Sequence, residues 1–448
     1  MVKHVNVLKR WCSVARKRVC FKYRHKLLFS FIILLYIQAA GAEDWKCEAM
    51  VIPNLQSVVK QGDIMLAGFN TRIFRWLMAM IFAIEEVNNN HLLLPNVTLG
   101  YMIYEACFNT HKAVKATVSF IGSEIAQMQE NICKPRAIIG SASSSFSSIV
   151  ARILGPFFIP QISYASTCKC LSDKKEYPSF LRTVPSDAFQ ATAMARIVSH
   201  FHWVFLGALQ DDDDYGKQGI AQFAEEVENK GHCLDFIETI PKVEEVDKIN
   251  LLGICDGVTK VTVIVVFSAE ITFSPFVEEL WKRNITGKIW IASEDWATFQ
   301  PYTSQRLSHI FQGTIGFAFR HGSIPGFYKF IVTRRSFFKN ALHKCNEDIH
   351  QNRFETSRQK TKRIIFHVAS ATTQCKSGTN NLSMNLTYHT YIATYALAHA
   401  LHNVQQCVPG HSPWENGTCA AIMNFQSWQV TGKPNTLLNA TCISIIAP

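Results

Sequence analysis

Residues Arg136–Leu154 read RAIIGSASSSFSSIVARIL. The segment "RAIIG" is a short apolar run of the kind that forms a buried strand, and it ends at Gly140. Beyond the break, Phe146, Ile149, Val150, Ile153 and Leu154 recur at i, i+3, i+4, i+7 and i+8, the stripe of a helix burying one face. The serines between lie at a strand-to-helix turn, where Ser143 or Ser144 caps the helix. A helix start carries free N–H groups and a partial positive charge, so it favours an anion, and hydroxyls add donors without adding charge. Alone, the stretch reads as an ordinary capped helix. A seat for a small carboxylate needs support from elsewhere in the chain.

The same alternation extends in both directions. "GDIMLAG" (62–68) and "NVTLGYMIYEAC" (96–107) predict strands, and residues 75–90 and 110–130 predict helices. After the serine turn come a strand at 157–166, a helix at 186–202, a strand at 203–210 and a helix at 216–230 with Ile220, Phe223, Ala224 and Val227 inward. "CLDFIETI", "KVTVIVVF" and "GKIWIASED" are further strands separated by helical stretches. Strands alternating with helices predict an α/β fold with parallel sheets covered on both faces. Such sheets bind ligands at the carboxyl ends of their strands. That rule points to Gly140–Ser145, Tyr164–Thr167, Gln210–Tyr215 and Ser293–Trp296. The length of the pattern exceeds one ordinary domain, so two lobes with a cleft are expected. The polar stretch at 346–385 reads as a surface loop.

The net charge of +11 is not a nucleic-acid signature. Nine lysines and arginines and no acid lie in residues 1–42, which leaves residues 43–448 at only +2, with no basic stripe to track phosphates. The basic head leads into "LLFSFIILLYIQAAGA" (27–42). A basic start, an apolar middle and an A-x-A exit make a secretory signal peptide; an uncleaved anchor is the minority reading. Twelve of the fourteen cysteines follow it, as an oxidising compartment would predict. Sequons stand at Asn96, Asn284, Asn381, Asn385, Asn416 and Asn439, predicting exposed, glycosylated asparagines.

Catalytic and metal motifs are weak. "GSASSS" lacks the second glycine of a nucleophile elbow, so a hydrolase using Ser144 is disfavoured. No H-E-x-x-H and no phosphate loop occur, and "CKC" (168–170) has too short a spacing for a zinc knuckle. The run Asp211, Asp212, Asp213, Asp214 could hold Ca²⁺ but lacks calcium-loop spacing, so a solvated or helix-capping run is the stronger reading. A ligand-binding module is favoured over an enzyme, and no cofactor is expected beyond Ca²⁺ as an alternative ligand.

Six motifs in order, "RWLMAMIFAIEEVN", "IPQISYAST", "FLRTVPSDAFQATAMARI", "DDDDYGKQGI", "RNITGKIWIASEDW" and "GTIGFAF", resemble the Venus-flytrap ectodomain of class C G-protein-coupled receptors, especially the calcium-sensing and fish olfactory (vomeronasal type-2-like) kinds. The resemblance runs from about residue 46 to 430. It implies a two-lobed periplasmic-binding-protein-like fold: signal peptide 1–42, lobe 1 at 46–184 and again at 321–430, lobe 2 at 185–320, and a divergent tail at 431–448. It implies an amino-acid ligand whose carboxylate meets Ser144 and Thr167. Its ammonium meets the Ala165 carbonyl, Asp187, Tyr215 and Glu294, with Arg72 at the rim choosing the side chain. A dimer, a G protein reached through seven membrane spans, and disulfides Cys407–Cys419 and Cys345–Cys375 are implied as well. A plasma-membrane receptor is the expected full-length form, and a secreted amino-acid-binding protein is the competing class.

The sequence departs from the family in three places. The long loop expected after "GDIMLAG" is missing, which leaves Cys107 orphaned or paired with Cys47, and which weakens the expected dimer interface. Cys133 stands where relatives link protomers, and Cys233 matches a cysteine whose partner lies in an absent cysteine-rich segment. The end after Trp428 diverges, so an incomplete receptor is expected.

Overall fold

A computed structural model describes residues 57–70, 74–106, 109–125, 134–241, 248–320, 322–334, 385–410 and 418–430. Arg72, Cys47, Cys107, Cys133, Cys345, Cys375, Asn381, Asn416, Asn439 and nearly all of the 346–385 stretch lie outside them. The strands are β1 (Ser57–Lys60), β2 (Ile64–Asn70), β3 (Leu99–Glu105), β4 (Pro135–Ile139), β5 (Gln161–Ser163), β6 (Phe180–Arg182), β7 (Phe205–Asp211), β8 (Cys233–Ile240), β9 (Val263–Phe267), β10 (Ile289–Ala292) and β11 (Ile315–Gly316). They form two sheets. The first has six strands in the order β1-β3-β2-β4-β5-β6, and the second has five in the order β11-β10-β9-β7-β8.

The ladders are parallel except at one edge, where β1 pairs with β3 antiparallel. β1 and the three-residue β6 escape the sequence reading because neither is long enough to show a period. Central strands read as unbroken apolar runs, as two-sided burial demands. All five residues of β9, VIVVF, are buried. The predicted strand at 157–166 is mostly loop: Gly155–Phe157 form a turn of 3₁₀ helix, and β5 keeps only Gln161–Ser163. The predicted strand at 203–210 begins instead at Phe205 and extends to Asp211.

The apolar core against the first sheet draws residues from 64–164 and again from 324–430, including Ala393, Ala396, Leu397 and Leu401 of the helix Asn385–Gln405. The chain thus leaves this sheet, builds the second, and returns. Cys407 and Cys419 fasten the returning segment with a disulfide, Cα–Cα 5.7 Å. The second sheet has a core on each face, one around Phe273, Trp290 and Trp296 and one around Met194, Phe223 and Phe267. Asn96 and Asn284 are exposed.

Each sheet sends its strand ends into a helix start. β4 leads to the helix Ser144–Leu154, β7 to the helix Asp214–Glu228, and β10 to the short helix Glu294–Ala297. The turn after β7 is tight enough to demand a glycine: a Cβ on Gly216 would collide with the backbone N and O of Asp211. Gly216→Ala is therefore expected to destabilise the fold by about 1–3 kcal/mol, read as a lowered midpoint in thermal or urea unfolding.

Candidate functional site

The serine turn is built from two kinds of serine. One kind holds the backbone. The Ser141 carbonyl accepts from Ser163 Oγ at 2.6 Å, Ser166 Oγ at 3.0 Å and Ser147 Oγ at 3.3 Å. Ser147 Oγ also receives the Ser141 N–H at 3.1 Å and lies 2.8 Å from Ser166 Oγ, whose single proton is shared between Ser147 and the Ser141 carbonyl. All four side chains are buried, and these bonds satisfy the backbone N–H and carbonyl of Ser141, while Ser141 Oγ itself has no hydrogen-bond partner. The other kind stands at the helix start and accepts N–H groups from neighbouring segments. Ser143 is the cap, accepting from Phe146 N. Ser144, the first helical residue, accepts the Cys168 N–H at 3.2 Å, and Ser145 accepts the Asp214 N–H at 2.9 Å.

Thr167 follows β5 by a few residues and is fully buried, yet its hydroxyl lacks a hydrogen-bond partner. Its carbonyl accepts the Asp187 N–H at 2.8 Å. Asp187 opens the helix Asp187–His200, beside the Ser186 cap. It is 2% exposed, and its Oδ2 is also without a hydrogen-bond partner. The Thr167 hydroxyl is close enough to ease the Asp187 charge but does not complete a bond of good geometry. Glu294 lies across from it, with Oε2 accepting from Tyr215 OH at 3.1 Å and from Gln190 Nε2. Gln190 also donates to Asp187 Oδ1 at 3.4 Å and accepts the Glu294 N–H at 3.1 Å. One amide therefore bridges two buried carboxylates.

Comparison with known proteins bears on this arrangement. Residues 75–433 match the family described as receptor family ligand binding region. The human extracellular calcium-sensing receptor is 37% identical over 398 residues, covering 81% of this chain and 37% of that receptor. Human taste receptor type 1 member 1 is 31% identical over 355 residues, covering 77% of this chain and 41% of that receptor. The chain belongs to the receptor ligand-binding family, in its class C G-protein-coupled receptor branch. It spans about two fifths of the length of these relatives, all of which are receptors. The two parallel sheets flanked by helices are the periplasmic-binding-protein-like architecture of that family. Among the described residues no helix is long and apolar enough to cross a membrane.

Ser144 and Thr167 follow β4 and β5 of the first sheet, Tyr215 and Glu294 follow β7 and β10 of the second, and Asp187 opens the helix after β6. Ala165 is half-buried in the same loop as Thr167. The four aspartates do not converge as a metal site. Asp211 receives the Ser268 hydroxyl and, at 2.8 Å, the Ala269 N–H. Asp212 pairs with Lys217, and Asp213 caps its helix by accepting from Gly216 N at 2.9 Å. Asp214 binds Ser145 through its N–H and Ser148 through its carboxylate. Among the described residues, no group of three or more His, Cys, Asp or Glu is placed to hold a metal ion.

Two residues of the site are invisible in the sequence reading. Gln190 looks like a surface position on an amphipathic helix until Glu294 is folded over it. Arg182 ends β6, and its guanidinium donates to the carbonyls of Thr167 and Cys168, both at 2.9 Å, which fixes the loop that carries Thr167. The run "FLRTVPSD" offered no signal that its arginine points at backbone.

Charge is strained here. Burial, and then the nearby Glu294 charge, hold the Asp187 carboxyl well above its ordinary range, against smaller help from Thr167, Arg182 and Gln190. Burial likewise raises Glu294, opposed by Gln190, its own N–H and Tyr215. The folded chain therefore binds more protons than the unfolded one above the ordinary values of 3.8 and 4.5. Stability of the unliganded chain is greatest below those values and is lost as pH rises through the folded pKa values. Asp187→Asn removes that loss. It is expected to raise the thermal midpoint at pH values above the ordinary carboxylate range and to lessen the fall in stability as pH rises from that range, measured by unfolding across pH.

Proposed function

We propose that the chain is the extracellular ligand-binding part of a class C receptor that senses free L-α-amino acids in a chemosensory role. The observation that carries this reading is the pair Asp187 and Glu294: two carboxylates buried together, bridged by one neutral amide, with Asp187 Oδ2 unpartnered. A buried anion without a cation is costly, and an ammonium supplies the missing charge and donors. The Ser144 hydroxyl stands at a helix start, which suits a carboxylate, and the uncharged Thr167 hydroxyl lies in the loop beside it without a hydrogen-bond partner. In this reading the ammonium meets Asp187, Glu294, Tyr215 and the Ala165 carbonyl, and Arg72 selects the side chain at the rim. The lobes divide at about residues 185 and 320, so a zwitterion ties them together. The whole receptor dimerises and couples to a G protein through a membrane part, which sets the ectodomain outside the cell.

A second reading has Ca²⁺ as the main ligand of the same carboxylates. It is favoured by the name of one relative, the extracellular calcium-sensing receptor.

Titration calorimetry separates the two. A neutral L-amino acid, its N-acetyl form and its amide are each titrated into the secreted chain, with and without calcium. Only molecules with both a free amine and a carboxylate are expected to bind well. Each charge-assisted hydrogen bond is worth about 1.5–3 kcal/mol, so Asp187→Ala is expected to weaken binding by about tenfold to a hundredfold. Equal binding of the N-acetyl form would remove the ammonium assignment, and saturation by calcium alone would favour the ion. Because binding must ionise both acids, affinity for the amino acid is expected to fall as pH drops from 7 towards 5. The same titration repeated across pH checks this.

A further inference from the structure

The loop that carries Thr167 runs on into Cys168-Lys169-Cys170, and the two sulfurs are bonded to each other. The cross-link spans only two positions, so it constrains the loop backbone directly. Cys168 is fully buried. Its N–H donates to Ser144 Oγ at 3.2 Å, and its carbonyl accepts from Arg182 at 2.9 Å. Cys170 differs. It is only half-buried and lines a cavity of about 410 Å³. Lys169, Asp173 and Glu176 form one wall of that cavity, and Gln222 and Glu225 of the helix Asp214–Glu228 form another. Cys170 is thus the half of the disulfide that borders the cavity, whereas Cys168 is buried.

We propose that Cys170 is a thiol-exchange site for small thiols that carry a positive charge. The incoming thiolate attacks Cys170 Sγ and forms a mixed disulfide with it. The electron pair of the broken bond leaves on Cys168 Sγ, which takes up the proton that the incoming thiol gave up. A second thiol attacking the adduct yields the free dithiol and an external disulfide, so the thiol is the only reductant needed. Attack falls on Cys170 because access decides which sulfur is reached. The preference for a cation follows from the lining, where three carboxylates, Asp173, Glu176 and Glu225, face one ammonium, Lys169. Arg152 pairs with Glu176, and the balance stays negative. Lys169 is itself engaged with Gln222.

Opening the ring removes its constraint on the loop that carries Thr167, so the adduct is expected to weaken amino-acid binding about tenfold, the loss of one hydrogen bond to a charged group. That consequence rests on the amino-acid reading above; the exchange chemistry does not.

The test uses the whole folded chain with Cys233, exposed and unbonded among the described residues, blocked beforehand by iodoacetamide. Cysteamine or mercaptoacetate is added at equal thiolate concentration and low salt, free thiols are trapped by alkylation, and peptides are mapped by mass spectrometry. The expected product carries cysteamine on Cys170 and the alkyl label on Cys168, with Cys407–Cys419 intact. Cysteamine is expected to react about tenfold faster than mercaptoacetate, a gap that closes with salt. Hydrogen exchange at residues 165–169 rises in the adduct. Equal rates for the two thiols, an adduct on Cys168, or opening of Cys407–Cys419 before Cys168–Cys170 would overturn the proposal. A chain that forms the adduct but binds no amino acid refutes only the ligand reading; one that binds amino acids but resists both thiols refutes only the exchange site.

Discussion

The carbonyl of Ser141 is where the site is anchored. It sits at the end of a buried parallel strand, where the backbone must leave the sheet with no water to receive it. Three hydroxyls, from Ser147, Ser163 and Ser166, converge on it. They come from the next helix, from β5 and from the loop after β5, so one acceptor fastens three pieces of chain. Buried polar networks of this kind rigidify when every member is satisfied. Ser144 and Thr167 can then be held at fixed places with oxygen atoms to offer, because neighbouring serines have already met the needs of the backbone.

The second sheet contributes the opposite character. Glu294 follows β10 of that sheet, Asp187 opens the helix after β6 of the first, and the fold buries the two with a single glutamine between them. Desolvation opposes their ionisation more strongly than their neutral hydrogen-bond partners favour it. The nearby aspartates show the contrast. Asp212 is neutralised by Lys217, Asp213 is engaged in capping, and Asp211, pushed up to about 7 by burial and by Asp213, is tied to Ser268 and Ala269. A run of four acids thus serves a turn, while the two isolated acids make the charged wall.

Contacts between the edges of the two sheets are polar and few in kind. Asp214 meets Ser145 and Ser148, and Lys169 meets Gln222. These join the helix that follows β4 and the loop after β5 to the helix that follows β7. Small polar pairs of this sort align two surfaces without an apolar seal, and interfaces between domains of one chain are commonly of this polar kind.

What the sequence determined by itself is the alternation of strands and helices, the strand ends on which chemistry would fall, and the family. Those follow from periodicity, which is local, and from long motifs in order. Ser144, Thr167, Asp187, Tyr215 and Glu294 could be named because the family resemblance implies them, and the strand-end rule independently points to the loops that hold four of them, Asp187 excepted. Tertiary structure alone decided which serines hold the Ser141 backbone and which accept N–H groups from neighbouring segments, since all of them look alike in "GSASSSFSS". It also decided that Gln190 reaches Glu294 across 104 residues of chain and that Arg182 grips the Thr167 loop. The physical reason is common to all of these. A side chain's partner is set by which strand ends are brought together, and no local pattern encodes that distance.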